Sequence, residues 1–101
     1  MIKHIVWFTM KEEAEGATAK ENAEKVATLL RGLENKIPTV RSLEVSTQFA
    51  STTTEDVSVI LFAAYDDEKA LKEYNDHPEH IAIGDFIKKV RVDRKAIDFI
   101  V

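Results

Sequence analysis

Cysteine is absent from the 101 residues. Disulfides and thiol chemistry are therefore excluded, and a reducing compartment is compatible. No run of basic residues occurs. The 14 Lys and Arg are outnumbered by 18 Asp and Glu, for a formal net charge of −4, so the chain lacks the electrostatic footprint of a nucleic-acid binder. No apolar run approaches the length of a membrane span. The opening Met1-Ile2-Lys3-His4 leads straight into a strand pattern and does not read as a signal peptide. A cytoplasmic location is the expectation. No linker, repeat or low-complexity segment divides the chain, so a single domain over residues 1–101 is predicted. Apolar residues make up 45%, enough for one core with little to spare.

Periodicity supplies the elements. From Ile2 to Phe8, one strand face carries Ile2, His4, Val6 and Phe8, and the other Lys3, Ile5 and Trp7. Both faces are largely apolar, so both need cover, and a chain this short has too few helices for that. A second copy of the chain is the expected cover for one face. Lys11 to Gly16 reads as a loop. Thr18-Ala19-Lys20-Glu21 has capping-box spacing, which starts a helix at Ala19. Ala23, Val26, Ala27, Leu30 and Leu33 form its apolar side, and Glu21, Asn22, Glu24 and Lys25 a solvated one. Strands are predicted over Val40–Phe49 and Val57–Tyr65, the latter central and fully buried with Leu61 and Ala63 on one face. Asp66 or Asp67 caps a second helix through Tyr74. A third helix runs from Pro78 to about Lys89, and a last strand from Ala96 to Val101. Lys88, Lys89, Arg91, Arg94 and Lys95 read as a solvated helix end. This order gives a ferredoxin-like α+β fold, a four-stranded antiparallel sheet with helices on one face.

The stretch Tyr74-Asn75-Asp76-His77-Pro78-Glu79-His80 carries the candidate chemistry. Pro78 suits the first turn of a helix and pushes His77 into an extended conformation. The resulting corner is predicted to bring Tyr74, His77 and His80 together with His4. A helix N-terminus favours the neutral imidazole of His80, which can accept a proton beside a Tyr hydroxyl. Gly84 falls one turn after His80 on the same helix face. Its missing side chain admits either a ligand or close helix–strand packing. Against this stands the plainer reading of His4 as a satisfied core residue and of His77 and His80 as caps or surface groups.

Ile2-Lys3-His4-Ile5-Val6, Ile37-Pro38 before Val40-Arg41-Ser42-Leu43-Glu44-Val45, and Tyr74 followed by His77-Pro78-Glu79-His80 together resemble the stress-responsive α/β-barrel family, the Dabb domain. Asp93-Arg94 through Ile97-Asp98-Phe99 also fits, so the resemblance covers essentially the whole chain. It implies a homodimer in which two sheets pack face to face into a barrel. Some similar plant proteins are polyketide cyclases that work without cofactors. In those, residues matching Tyr74 and His80 are catalytic, and residues matching His4 and His77 line the pocket. The cyclases shape a long cavity with aromatic residues on the first helix. This chain offers Val26, Ala27 and Leu30 there, a departure that allows the chemistry to be kept while the substrate differs.

Three functions follow as alternatives. The first is a homodimer whose small apolar pocket binds a small molecule. The second is a cofactor-independent acid–base enzyme acting on a small carbonyl or aromatic compound. In it, His80 takes a proton, Tyr74 supports the developing oxyanion, and Val6, Phe8, Leu61, Ala63 and Gly84 wall the pocket beside His4 and His77. The third is a metal site of His4, His77 and His80, disfavoured because no carboxylate is clearly placed to support it. The expectation is neither metal nor cofactor, and neither nucleic acid nor membrane as partner.

Overall fold

The computed structural model describes all 101 residues, Met1–Val101. The elements run β1 (Ile2–Met10), a ribbon of β2 (Glu13–Ala14) and β3 (Ala17–Thr18), α1 (Ala19–Gly32) followed by a 3₁₀ turn (Leu33–Asn35), β4 (Ser42–Ser46), β5 (Val59–Tyr65), α2 (Glu68–Asp76), α3 (Pro78–Val90) and β6 (Arg91–Ile100). The four long strands form one antiparallel sheet in the order β4-β5-β1-β6. This is the ferredoxin-like arrangement with three helices. None of the helices is long and apolar enough to cross a membrane.

Residues directly opposite in an antiparallel pair share a face, so the register sorts the side chains. His4 stands between Ala63 and Asp98, Val6 between Leu61 and Ala96, and Phe8 between Val59 and Arg94. This is the helix-covered side, where Ile2, His4, Val6, Phe8 and Met10 are buried. The other side pairs Ile5 with Phe62 and Ile97, Trp7 with Ile60, and Lys3 with Phe99. Here Phe62 is 36% and Ile97 53% exposed in the single chain. β5 therefore is an inner strand, buried on its helix side, while Phe62 on the other side stays open in the single chain. The helices stop at one face, and nothing within the chain covers the other.

α1 begins as its capping box requires. The Thr18 hydroxyl accepts from the Glu21 N–H at 3.2 Å, and the Glu21 carboxylate accepts from the Thr18 N–H at 3.0 Å. Asn22, expected on the solvated side, is instead buried, because its amide donates to the Ala14 carbonyl at 3.0 Å and ties the ribbon to α1. The ribbon occupies the segment predicted as a loop. Glu15 and Gly16 both have positive φ, 51° and 75°, as a two-residue hairpin turn of the primed kind requires. Two-residue strands carry no alternation to read. Elsewhere the boundaries shift. β4 is shorter than predicted, leaving Phe49 outside it and partly exposed, and β5 starts at Val59 rather than Val57. β6 starts five residues before Ala96, directly at the end of α3. Its charged run Arg91–Lys95 hides a strand because β6 is an edge strand, mostly exposed along its length.

Candidate functional site

The α2–α3 corner forms as Pro78 dictates. His77 is extended, with φ −66° and ψ 135°, and serves as the last cap of α2 and the first of α3. Its N–H donates to the Tyr74 carbonyl at 3.2 Å, and its Nδ1 accepts from the Glu79 N–H at 3.1 Å. That cap occupies the imidazole, and His77 is not on the cavity wall. The expected pocket role of His77 is thereby corrected: the same extended backbone that makes the corner commits the ring to it.

The corner turns Tyr74 and His80 toward each other, with ring centroids 4.6 Å apart. Tyr74 is buried, and burial pushes its hydroxyl up to about 12, with the neighbouring Tyr65 partly offsetting the rise. Burial is also the main cause that lowers the His80 pKa below its ordinary value, aided by the charge of Arg94 and by electrostatic interaction with the neighbouring His4 and His77 rings, and opposed by an interaction with the Asn75 backbone. Desolvation thus favours the neutral imidazole of His80.

His4 approaches the pair from β1, with its ring centroid 6.5 Å from that of Tyr74. It is 4% exposed, and its Nδ1 is hydrogen-bonded to the Asp98 carboxylate. Asp98 is the supporting carboxylate that the sequence reading did not find. It fixes the ring orientation of His4 and leaves Nε2 as its other polar atom. Tyr65, fully buried, completes the aromatic cluster at 6.1 Å from His4 and 5.1 Å from Tyr74. Its hydroxyl makes no hydrogen bond, and burial raises its pKa strongly.

His4, Tyr74 and His80 border a cavity of about 250 Å³ between sheet and helices. Of the predicted residues, His4, Val6, Phe8, Leu61, Tyr74, His80 and Gly84 line it, while Ala63 is fully buried in the core instead of at the wall. Leu30, Ile83 and Ile87 add aliphatic surface that the sequence reading assigned only to helix packing. A Cβ built on Gly84 would meet no atom within 4 Å. Close helix–strand packing therefore does not explain this glycine, and the space beside it belongs to the cavity. Lys88, Arg91 and Arg94, read as part of a solvated helix end, also line the cavity. No three His, Asp or Glu side chains stand close enough to hold a metal ion.

Solved structures share this architecture throughout. A dimeric ferredoxin-like protein from Thermobifida fusca is 26% identical, with a TM-score of 0.80 over 99% of this chain and 90% of that one. A dimeric protein of ferredoxin-like fold from Bacteroides fragilis is 24% identical, with a TM-score of 0.81 over 99% and 95%. A hydroxynitrile lyase from Passiflora edulis is 9% identical, with a TM-score of 0.78 over 99% and 92%. No curated protein matches the sequence. The profile of the stress responsive A/B barrel domain matches residues 2–101, and the chain belongs to that Dabb family.

Proposed function

We propose that this protein is a homodimer whose cavity binds a small molecule about the size of one substituted ring. The cavity itself carries the reading. An apolar cavity of about 150 Å³ suffices for benzene, and the space here is about 250 Å³, with polar side chains set among an aliphatic wall. An aliphatic wall with a few convergent polar groups is the usual make-up of a small-molecule site. The dimer reading rests on the outer sheet face, where Ile5, Trp7, Ile60, Phe62, Ile97 and Phe99 lie together without cover. Sedimentation at micromolar concentration should give about twice the 11.4 kDa chain mass. A stable monomer would refute the face-to-face barrel.

Gly84→Ala tests the cavity. The substitution adds a methyl that touches no protein atom. Replacing a helix-interior glycine by alanine should stabilise the fold by up to about 1 kcal/mol. It should also weaken binding of acetophenone, a single-ring carbonyl probe, because the methyl takes up ligand space. Thermal melts and calorimetric titration measure the two effects. A variant that is more stable and binds acetophenone as well as the wild type would place the ligand elsewhere.

The Tyr74–His80 pair supports a second, catalytic reading. A neutral imidazole beside a protonated phenol suits removal of a proton from carbon next to a carbonyl, with the phenol donating to the developing oxyanion. The base takes the proton and the electron pair moves to oxygen, so the step needs no redox partner. The hydroxynitrile lyase with this fold is a precedent for enzymatic use of the scaffold, and the relation is one of fold alone.

A further inference from the structure

The chain has four more acidic than basic side chains, so its cations have carboxylates to spare. Some of them take one: Arg41 grips Asp66 through two bonds of 2.7 Å, Lys72 pairs with Asp76, Lys36 with Glu79 and Lys69 with Glu73, while surface lysines such as Lys20 and Lys95 take none. Lys88, Arg91 and Arg94 line the cavity, yet none of their side chains makes an ion pair or a hydrogen bond. One acidic wall residue, Asp85, stands against these three cations. Asp98 is engaged by His4.

The cations also have a place relative to the polar cluster. His80, Gly84 and Lys88 are spaced four apart and share one face of α3. That face runs roughly 12 Å along the helix from imidazole to ammonium. On the sheet, Asp98 lies opposite His4, while Arg94 lies opposite Phe8 and Arg91 opposite Met10. Both routes lead from the Tyr–His end of the cavity to a cationic end, with apolar wall and the open space at Gly84 between them.

We propose that Lys88, Arg91 and Arg94 form an anion subsite, and that the ligand is a single-ring compound bearing an oxyanion at the end opposite its carbonyl group. The proposal rests on the reading of the cavity as a ligand site and adds the charge class of the ligand. Two planar guanidinium forks suit a carboxylate or a phosphate alike. An anion held there would also offset the charge of Arg94, one of the groups that keep His80 neutral, so ligand binding and the basicity of His80 are coupled.

Three probes of similar outline separate the possibilities: 4-acetylbenzoate, 4-acetylphenyl phosphate and the uncharged 4-acetylbenzamide. Calorimetric titration at low salt should show at least one anion binding about tenfold or more tighter than the amide, with a preference that falls as salt rises. The ranking of the two anions identifies which oxyanion is favoured. In Arg91→Gln/Arg94→Gln the preference should collapse to about parity. Equal binding of the amide and both anions by the wild type would overturn the anion subsite and leave the ligand site standing. So would a preference that survives the double substitution. If acetophenone and all three probes fail to bind, the ligand-site reading falls and the subsite with it.

Discussion

Leu61→Asp is expected to leave the chain without a native fold. Leu61 is 2% exposed on the inner strand β5, flanked by Val6 on β1 and Val45 on β4. A carboxylate there finds no cation at its own row of the sheet. The penalty for an unpaired buried ion is several kcal/mol, against a total stability of about 5–15 kcal/mol for a domain of this kind. The cavity beside Leu61 offers some relief through hydration. Val59, fully buried and away from the cavity wall, offers none, so Val59→Asp should be at least as damaging. Phe62→Asp is the contrasting variant. It puts the same charge one residue along, on the opposite face, and should keep the fold of the single chain while weakening the dimer. Near-ultraviolet circular dichroism and sedimentation read the two effects. If Leu61→Asp melted at the wild-type temperature, the assignment of faces would be wrong.

The second large effect concerns proton transfer at Tyr74 and His80. In heavy water, the protein should speed deuterium incorporation into the methyl group of 4-acetylbenzoate or acetophenone, followed by proton NMR. His80→Gln removes the base and should lower that rate by about 10²–10⁴. Tyr74→Phe removes the oxyanion donor and should lower it by about 10²–10³. The pH profile follows from the directions of the two shifts. Because the His80 pKa lies below its usual 6.5, the rate should rise at acidic pH and level off before neutrality. Because the Tyr74 hydroxyl is pushed up to about 12, no fall should follow through the ordinary tyrosine range near pH 10. A rising limb centred above 6.5 would remove His80 from the role of base.

The same shift bears on stability. His80 binds a proton less readily in the folded chain than in the unfolded one, so folding is favoured as pH rises. This contribution is complete above the unfolded value of about 6.5 and is lost as pH falls through the lower folded value. His80→Gln should lack that part of the acid sensitivity.

Much of this arrangement was legible in the sequence. The alternation of Ile2, His4, Val6 and Phe8 put His4 on the face that the helices cover, and Pro78 fixed the corner that brings Tyr74 to His80. What stayed hidden depends on register between distant strands. Asp98 alternates with Ile97 and Phe99 in an exposed strand, and only its pairing with His4 gives it meaning. Arg94 is in the same position, four residues earlier. Tyr65 falls in phase with Leu61 and Ala63 on β5, but its clustering with Tyr74 depends on how α2 packs on the sheet. For His77 the sequence left two readings open, a cap and a pocket group, for a different reason. Its extended backbone was predictable, whereas the turn of its ring back to the Glu79 N–H is a choice of side-chain rotamer.

The pairing of His4 with Asp98 joins residues 94 positions apart, and this shapes how the molecule acquires its site. Contacts of such sequence separation raise the contact order and slow folding, since the entropy of closing a long loop is lost before the contact is gained. The cavity draws its walls from β1, α1, β5, α2, α3 and β6, so no short segment holds it. The cavity and the cooperative folding unit are therefore the same object. A ligand in this cavity has no partly folded form to capture, and it slows opening of the whole domain.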